Sequence, residues 1–236
     1  MLTAEALQFV RDLEENNERE WFQPRKGEYE RLLKEPMIEV VRKLNATLAG
    51  TAPDYVTDPA KSVYRIYRDT RFSKNKTPYK THVSALLWHR RLGKDGGAGI
   101  YFHVSPKEFL IAGGLYRAEA DMLLAVRQYI AEHYEKLGSI LRNKMLRRLF
   151  GELQGDRLSR PPKGWTASHP ALEYLKRKDL LLETALPPDA ATGKGAEAEL
   201  TKRAVALVPF LDFLNAPLLV LKKRKAADPL QNGGWH

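Results

Sequence analysis

The sequence predicts an α+β fold, with a central antiparallel β-meander over about residues 62–115 packed by N-terminal and C-terminal helices. Three observations predict it. Apolar residues recur at helical spacing through the first fifty residues and again from about residue 118 onward. Between these stretches the period shortens to β-rich runs. The connectors of those runs, LGKDGGAG and SPKE, are short turn material, and short connections join antiparallel neighbours.

The elements follow in order. Thr3 is a fitting N-cap for a first helix whose Ala6, Phe9, Val10 and Leu13 share a face, and Asn16-Asn17 breaks it. Trp21, Phe22, Tyr29, Leu32 and Leu33 suggest a second helix. Pro36 sits where a third would start, and Ile38, Val41, Leu44 and Leu48 carry it to Gly50. Residues 51–60 read as a loop. Strands are expected at 63–67, 83–89, 98–104 and 109–115. Helices follow at 118–137 and 139–150, the latter stopping near Gly151. A short helix capped by Ser168, a strand at 180–184 and a last helix at 197–214 complete the chain. The expected organisation is one α+β domain over residues 1–220 and a basic, flexible tail over 221–236 that carries KKRK at 222–225.

Composition bounds the chemistry. The 39 Lys and Arg against 29 Asp and Glu give a net charge of +10 and a pI near 9.6, a balance that suits anionic partners. With no Cys, disulfides, thiolate catalysis and zinc sites with Cys ligands are excluded. The N-terminus lacks a basic region followed by an apolar run, so no signal peptide is expected. The most apolar stretch, 204–221, is interrupted by Pro209, Asp212, Asn215 and Pro217, so no membrane span is expected. A cytoplasmic protein without membrane partners is the resulting expectation.

One stretch stands out, KSVYRIYRDTRFSKNKTPYK at 61–80. It holds seven Lys or Arg, four aromatics and one acid, Asp69. In a strand Val63, Arg65 and Tyr67 would face one way and Tyr64, Ile66 and Arg68 the other. Arg65, Arg68, Arg71, Lys74, Lys76 and Lys80 are therefore expected to build an anion site, with Ser73, Thr77 and Tyr79 as supporting donors. Asp69 fits better as an orienter of Arg68 or Arg71 than as a base.

The run RIYRDTRFSKNKTPYKTH resembles the hallmark of the uncharacterised conserved family catalogued as domain of unknown function 2461. FVRDLEENNEREWF, YFHVSPKEFLIAGGLYR and RLSRPPKGWTASHPALEYLK fit the same family in order, so the resemblance reaches to about residue 215. Asn75 stands where an acid is commoner and Ala118 where Pro is usual. The resemblance implies one domain and a special role for the central run, and it implies no activity.

Other constellations are weaker. Asp69, His82 and His103 are the candidates for proton transfer. His89 and His103, with Asp69 as a third ligand, are weighed as a metal site, but no HxH or HExxH spacing supports them, so neither metal nor cofactor is expected. Trp21 and Phe22 fit core anchors better than stacking platforms. Gly113-Gly114 lacks nucleotide-loop spacing and fits a bulge or turn. RPPKGW at 160–165 is equally a site rim or a docking loop.

Three readings result. The first is binding of nucleic acid or a nucleotide through phosphate contacts. The second is an enzyme acting on a phosphorylated small molecule, which requires a concave pocket with a few convergent cations. The third is an interaction protein whose basic run pairs internally with acids such as Glu14, Glu15, Glu18 and Glu20.

Overall fold

The computed structural model describes residues 1–227. Helix α1 (Ala4–Glu15) is capped by Thr3, whose hydroxyl accepts from Ala6 N–H at 3.1 Å, and it ends at Asn16. Helices α2 (Arg19–Phe22) and α3 (Lys26–Tyr29) continue through a π turn at Glu30–Lys34 into α4 (Glu35–Thr51). The chain thus does not stop before Pro36. The wider π turn directly precedes that ring, which would clash with the carbonyl four residues back in a regular α-helix. Gly50 lies inside α4 and does not end it. The expected loop at 51–60 contains a 3-10 turn and α5 (Pro59–Ser62), which Asp58 caps.

A four-stranded antiparallel sheet occupies the middle, in the order β1 (Val83–Trp88), β2 (Gly99–Val104), β3 (Phe109–Leu115), β4 (Leu180–Leu186). The fold class is α+β, as read from the sequence. The strand expected at 63–67 does not form. Tyr64 N–H bonds to Ser84 O, but Lys80 N–H bonds to Ile66 O and Arg68 N–H to Pro78 O. The segment changes partner between Tyr64 and Ile66, so only isolated bridges arise, Val63 with Ala85 and Tyr67 with Tyr79.

After the β2–β3 hairpin come α6 (Ala120–Leu141), which departs from helical geometry at His133, and α7 (Lys144–Phe150). Asn143 caps α7, and Gly151 ends it at φ +73°. The short helix α8 (Leu172–Leu175) starts later than expected. The acceptor at its entry is His169 Nδ1, which takes the Ala171 N–H, and Ser168 plays no such part. The last helix, α9 (Ala196–Ala227), runs through Pro209 and Pro217 and takes in Lys222–Lys225. The remainder of the expected tail, 228–236, lies outside the described residues. Tertiary packing of Leu207, Phe210, Leu211 and Leu214, all fully buried, overrides the local proline penalty. Contrary to the sequence expectation, α9 is long and apolar enough to cross a membrane by length and composition. However, 56% of its apolar window is buried inside the protein, as in a core helix.

Two compact units are distinguishable. The first comprises residues 1–87, 101–111 and 184–205, and the second 88–100, 112–183 and 206–227 within the described range. The core of the first holds Leu13, Phe22, Leu33, Met37, Leu48 and Tyr55. That of the second holds Val126, Ile130, Leu137, Leu175, Leu207 and Phe210. Irregular segments are held by asparagine side chains that pair with both backbone groups of one residue. Asn45 holds Thr57 in the first unit (2.6 and 3.2 Å), and Asn215 holds Ala98 in the second (2.8 and 3.0 Å).

Candidate functional site

The basic run lies wholly in the first unit. Its two ends, 66–68 and 78–80, pair as a short antiparallel ladder, leaving 69–77 as an exposed loop. A third asparagine pins the base of this loop. Asn17, just past α1, donates Nδ2 to Tyr79 O and accepts from Tyr79 N–H, both at 3.0 Å. Tyr79 is buried against Phe22 at 4.1 Å between ring centroids, and Tyr67 and Tyr29 extend the aromatic cluster. Burial, with Glu30 and Tyr67 adding to it, pushes the Tyr29 phenol up to about 12. Burial likewise raises Tyr79. Phe22 is thus core, as expected. Trp21 packs 5.6 Å from Phe9 and carries Arg25 over its ring.

Beside this ladder lies a polar groove of about 370 Å³. Arg68, Thr77, Tyr79 and Lys80 line it, together with Asn17, Asn75, Thr81, His82 and Glu14. Of the six expected anion-binding cations, the groove brings together Arg68 and Lys80. Arg68 donates to the Thr77 hydroxyl, which in turn donates to Asn75 Oδ1 at 2.8 Å. Lys80 lies 5.1 Å over the Tyr64 ring.

The other four cations are placed elsewhere. Arg71 makes a bidentate pair with Asp69, at 3.0 and 2.7 Å, and Lys76 donates to Thr70 O at 2.9 Å. Arg65 and Lys74 are exposed, and Ser73 is half-buried in the loop turn. The Arg71 bonds hold Asp69 down at about 2, so it stays ionised and serves as the orienter of Arg71. Glu14 accepts an ion pair from Lys107 at 3.1 Å. Phe72, on the same loop, is 95% exposed, with Arg71 5.8 Å from its ring centroid.

The two histidine candidates meet. The His82 and His103 rings lie 5.0 Å apart, and His103 bridges Tyr101 Oη and Glu108 Oε1, each at 3.2 Å. Burial first, then His103 and Lys80, lowers His82 to about 4, so it is neutral near pH 7. Burial also lowers His103, outweighing the opposing pull of Glu108. His82 lines the groove, and the hydrogen-bonded Tyr101–His103–Glu108 chain lies beside it.

Sequence reasoning missed Asn17, Glu108 and Tyr101. The first sits in the NNERE turn, where Asn is ordinary turn chemistry; Tyr101 lies two residues before His103 on β2, and Glu108 reaches His103 from the turn that leads into β3. His89 is buried, and among the described residues no group of three His, Cys, Asp or Glu could hold a metal ion. Gly113 and Gly114 are packing glycines. A Cβ on Gly113 would lie 2.7 Å from the Leu207 side chain, and one on Gly114 would lie 2.0 Å from Leu180 O. In the RPPKGW segment Trp165 N–H bonds back to Pro162 O in a turn containing Gly164 at φ +95°.

Over residues 5–213 the chain matches the family described as conserved hypothetical protein (DUF2461), and it belongs to that family. No curated protein and no solved structure matches.

Proposed function

We propose that in this family member the 64–82 segment binds a phosphorylated ligand, a nucleotide or a short single strand of nucleic acid. Arg68 and Lys80 take a phosphate in the groove, and Phe72 offers its face to a base. The observation that carries the reading is the pairing of a two-cation groove with an aromatic ring left 95% exposed on the loop that contributes Asn75 and Thr77 to that groove. Phe72 contributes almost nothing to packing, and a ring flanked by Arg71, Lys74 and Lys76 suits stacking on a base whose backbone is anionic.

Fluorescence anisotropy with a labelled 5′-phosphorylated hexanucleotide tests this. Phe72→Ala should leave the melting temperature unchanged and weaken binding by about 5- to 150-fold, the range of one base–aromatic stack. Arg68→Ala with Lys80→Ala should weaken inorganic phosphate and oligonucleotide alike and flatten the salt dependence. Unchanged affinity in both variants would overturn the reading.

A second reading, hydrolysis of a phosphate ester, is favoured by one observation, the neutral His82 in the groove backed by His103 and Glu108. Water would give its proton to His82 as its oxygen bonds to phosphorus. The ester oxygen–phosphorus bond would then break, and the alkoxide would take a proton from solvent. Phosphate release from p-nitrophenyl phosphate that disappears in His82→Gln would support it, and equal release by both proteins would overturn it.

A further inference from the structure

A second concavity, of about 300 Å³, lies entirely within the second unit, between the end of α6, α7, the segment after it, and α8. Four arginines line it, Arg142, Arg147, Arg157 and Arg177, against two acids, Glu152 and Glu173. Both acids are engaged by exposed ion pairs, Arg147 with Glu152 and Arg157 with Glu173, each at 3.3 Å. Pairs of this kind are weak and exchange readily. Arg142 and Arg177 are left as the surplus.

Arg177 is built in. Its guanidinium donates to Gly155 O at 2.8 Å and to Leu153 O at 2.6 Å, and backbone carbonyls fix its plane without neutralising its charge. Burial, and next the like charge of Arg157, lowers its pKa, with Glu173 and Glu152 only partly opposing this. Arg142 lies across Gly138, one helical turn back. A Cβ at Gly138 would sit 2.8 Å from Arg142 Nη1. Glycine is among the worst residues for a helix interior, but here it gives the guanidinium a flat seat. Among the described residues Arg142 has no carboxylate partner.

We propose that this cleft is a separate anion site that takes a phosphate group, held by Arg142 and Arg177. The surplus of two positive charges matches a phosphate dianion, and guanidinium forks match its oxygens. The shared chemistry is the phosphate group, whether free or esterified.

The test is a residue-resolved NMR titration of the full chain with inorganic phosphate and, in parallel, O-phosphoserine, following the Gly138, Gly151 and Gly155 amides. These amides should shift saturably, independently of those of Thr77 and Thr81 in the first groove. Arg142→Gln should raise the saturating concentration about tenfold, as expected for loss of one charge-assisted contact. Gly138→Ala keeps every charge and should weaken binding similarly by displacing Arg142. Tighter phosphoserine binding would support an esterified ligand, and tighter phosphate binding would support the free ion. Absence of shifts at the three glycines, or saturation unchanged in both variants, would overturn the proposal.

Discussion

Asn17→Ala should loosen the candidate site without touching any of its charges. The wild-type carboxamide satisfies both backbone groups of Tyr79 at 3.0 Å, and Tyr79 is the buried residue that seats the ladder against Phe22. Each hydrogen bond contributes about 1 kcal/mol net, and a backbone group left unpaired out of water costs about 1–3 kcal/mol. The bonds are only partly buried, so water replaces some of the loss. The lower half of the range then applies, about 1–2 kcal/mol per group and about 2–4 kcal/mol together. With a urea slope of about 2–3 kcal/mol per molar, the midpoint of the transition that includes the first unit should fall by about 1 M. Amide hydrogen exchange supplies the local readout, because the Tyr79 N–H should lose protection first. Asn17→Asp separates stability from function. It keeps an acceptor for the Tyr79 N–H, so that amide stays protected. It also sets a carboxylate in the groove beside Arg68 and Lys80, so phosphate binding should fall. A midpoint moved by less than about 0.3 M in Asn17→Ala, with Tyr79 exchange unchanged, would refute the assignment of this clamp.

Two further perturbations follow from the geometry. His82 is held at about 4 against 6.5 in an unfolded chain, so below pH 6.5 the unfolded state takes up a proton that the folded state refuses. The His82 contribution to stability should therefore decline from about pH 6.5 to about pH 4, and His82→Gln should flatten the decline over that window. Urea midpoints at pH 7.5, 5.5 and 4.5 check the sign. Gly114→Ala should be severe, because φ is +143° and the new Cβ would lie 2.0 Å from Leu180 O, between β3 and β4. At least about 2–3 kcal/mol should be lost. Gly27→Ala, in α3 with nothing within 4 Å of its Cβ, should instead gain up to about 1 kcal/mol. Thermal melts of the two variants side by side decide this.

Much of the architecture was legible in the sequence because local rules suffice for it. Thr3 and Asn16 bound α1, Gly151 ends α7, and short turns force β1, β2 and β3 to run antiparallel. The composition of 61–80 likewise singled out the segment that supplies Arg68, Thr77, Tyr79 and Lys80 to the first groove. What the sequence could not decide rests on contacts between distant residues. Residues 63–67 have strand composition, but their hydrogen-bond partners change midway, so no strand forms. Six cations in one run look alike, but only folding seats Arg68 and Lys80 in the groove, ties Arg71 to Asp69 and leaves Phe72 in solvent. Asn17, Asn45 and Asn215 look like ordinary turn or helix residues, and each becomes a clamp only when a backbone 12 to 117 positions away arrives within 3.2 Å. The four arginines of the second cleft are spread over residues 142–177 with no motif spacing. Helices and turns are short-range choices that each few residues make for themselves. A binding site depends on which side chains the packed core brings together, and that is settled only when the whole chain has folded.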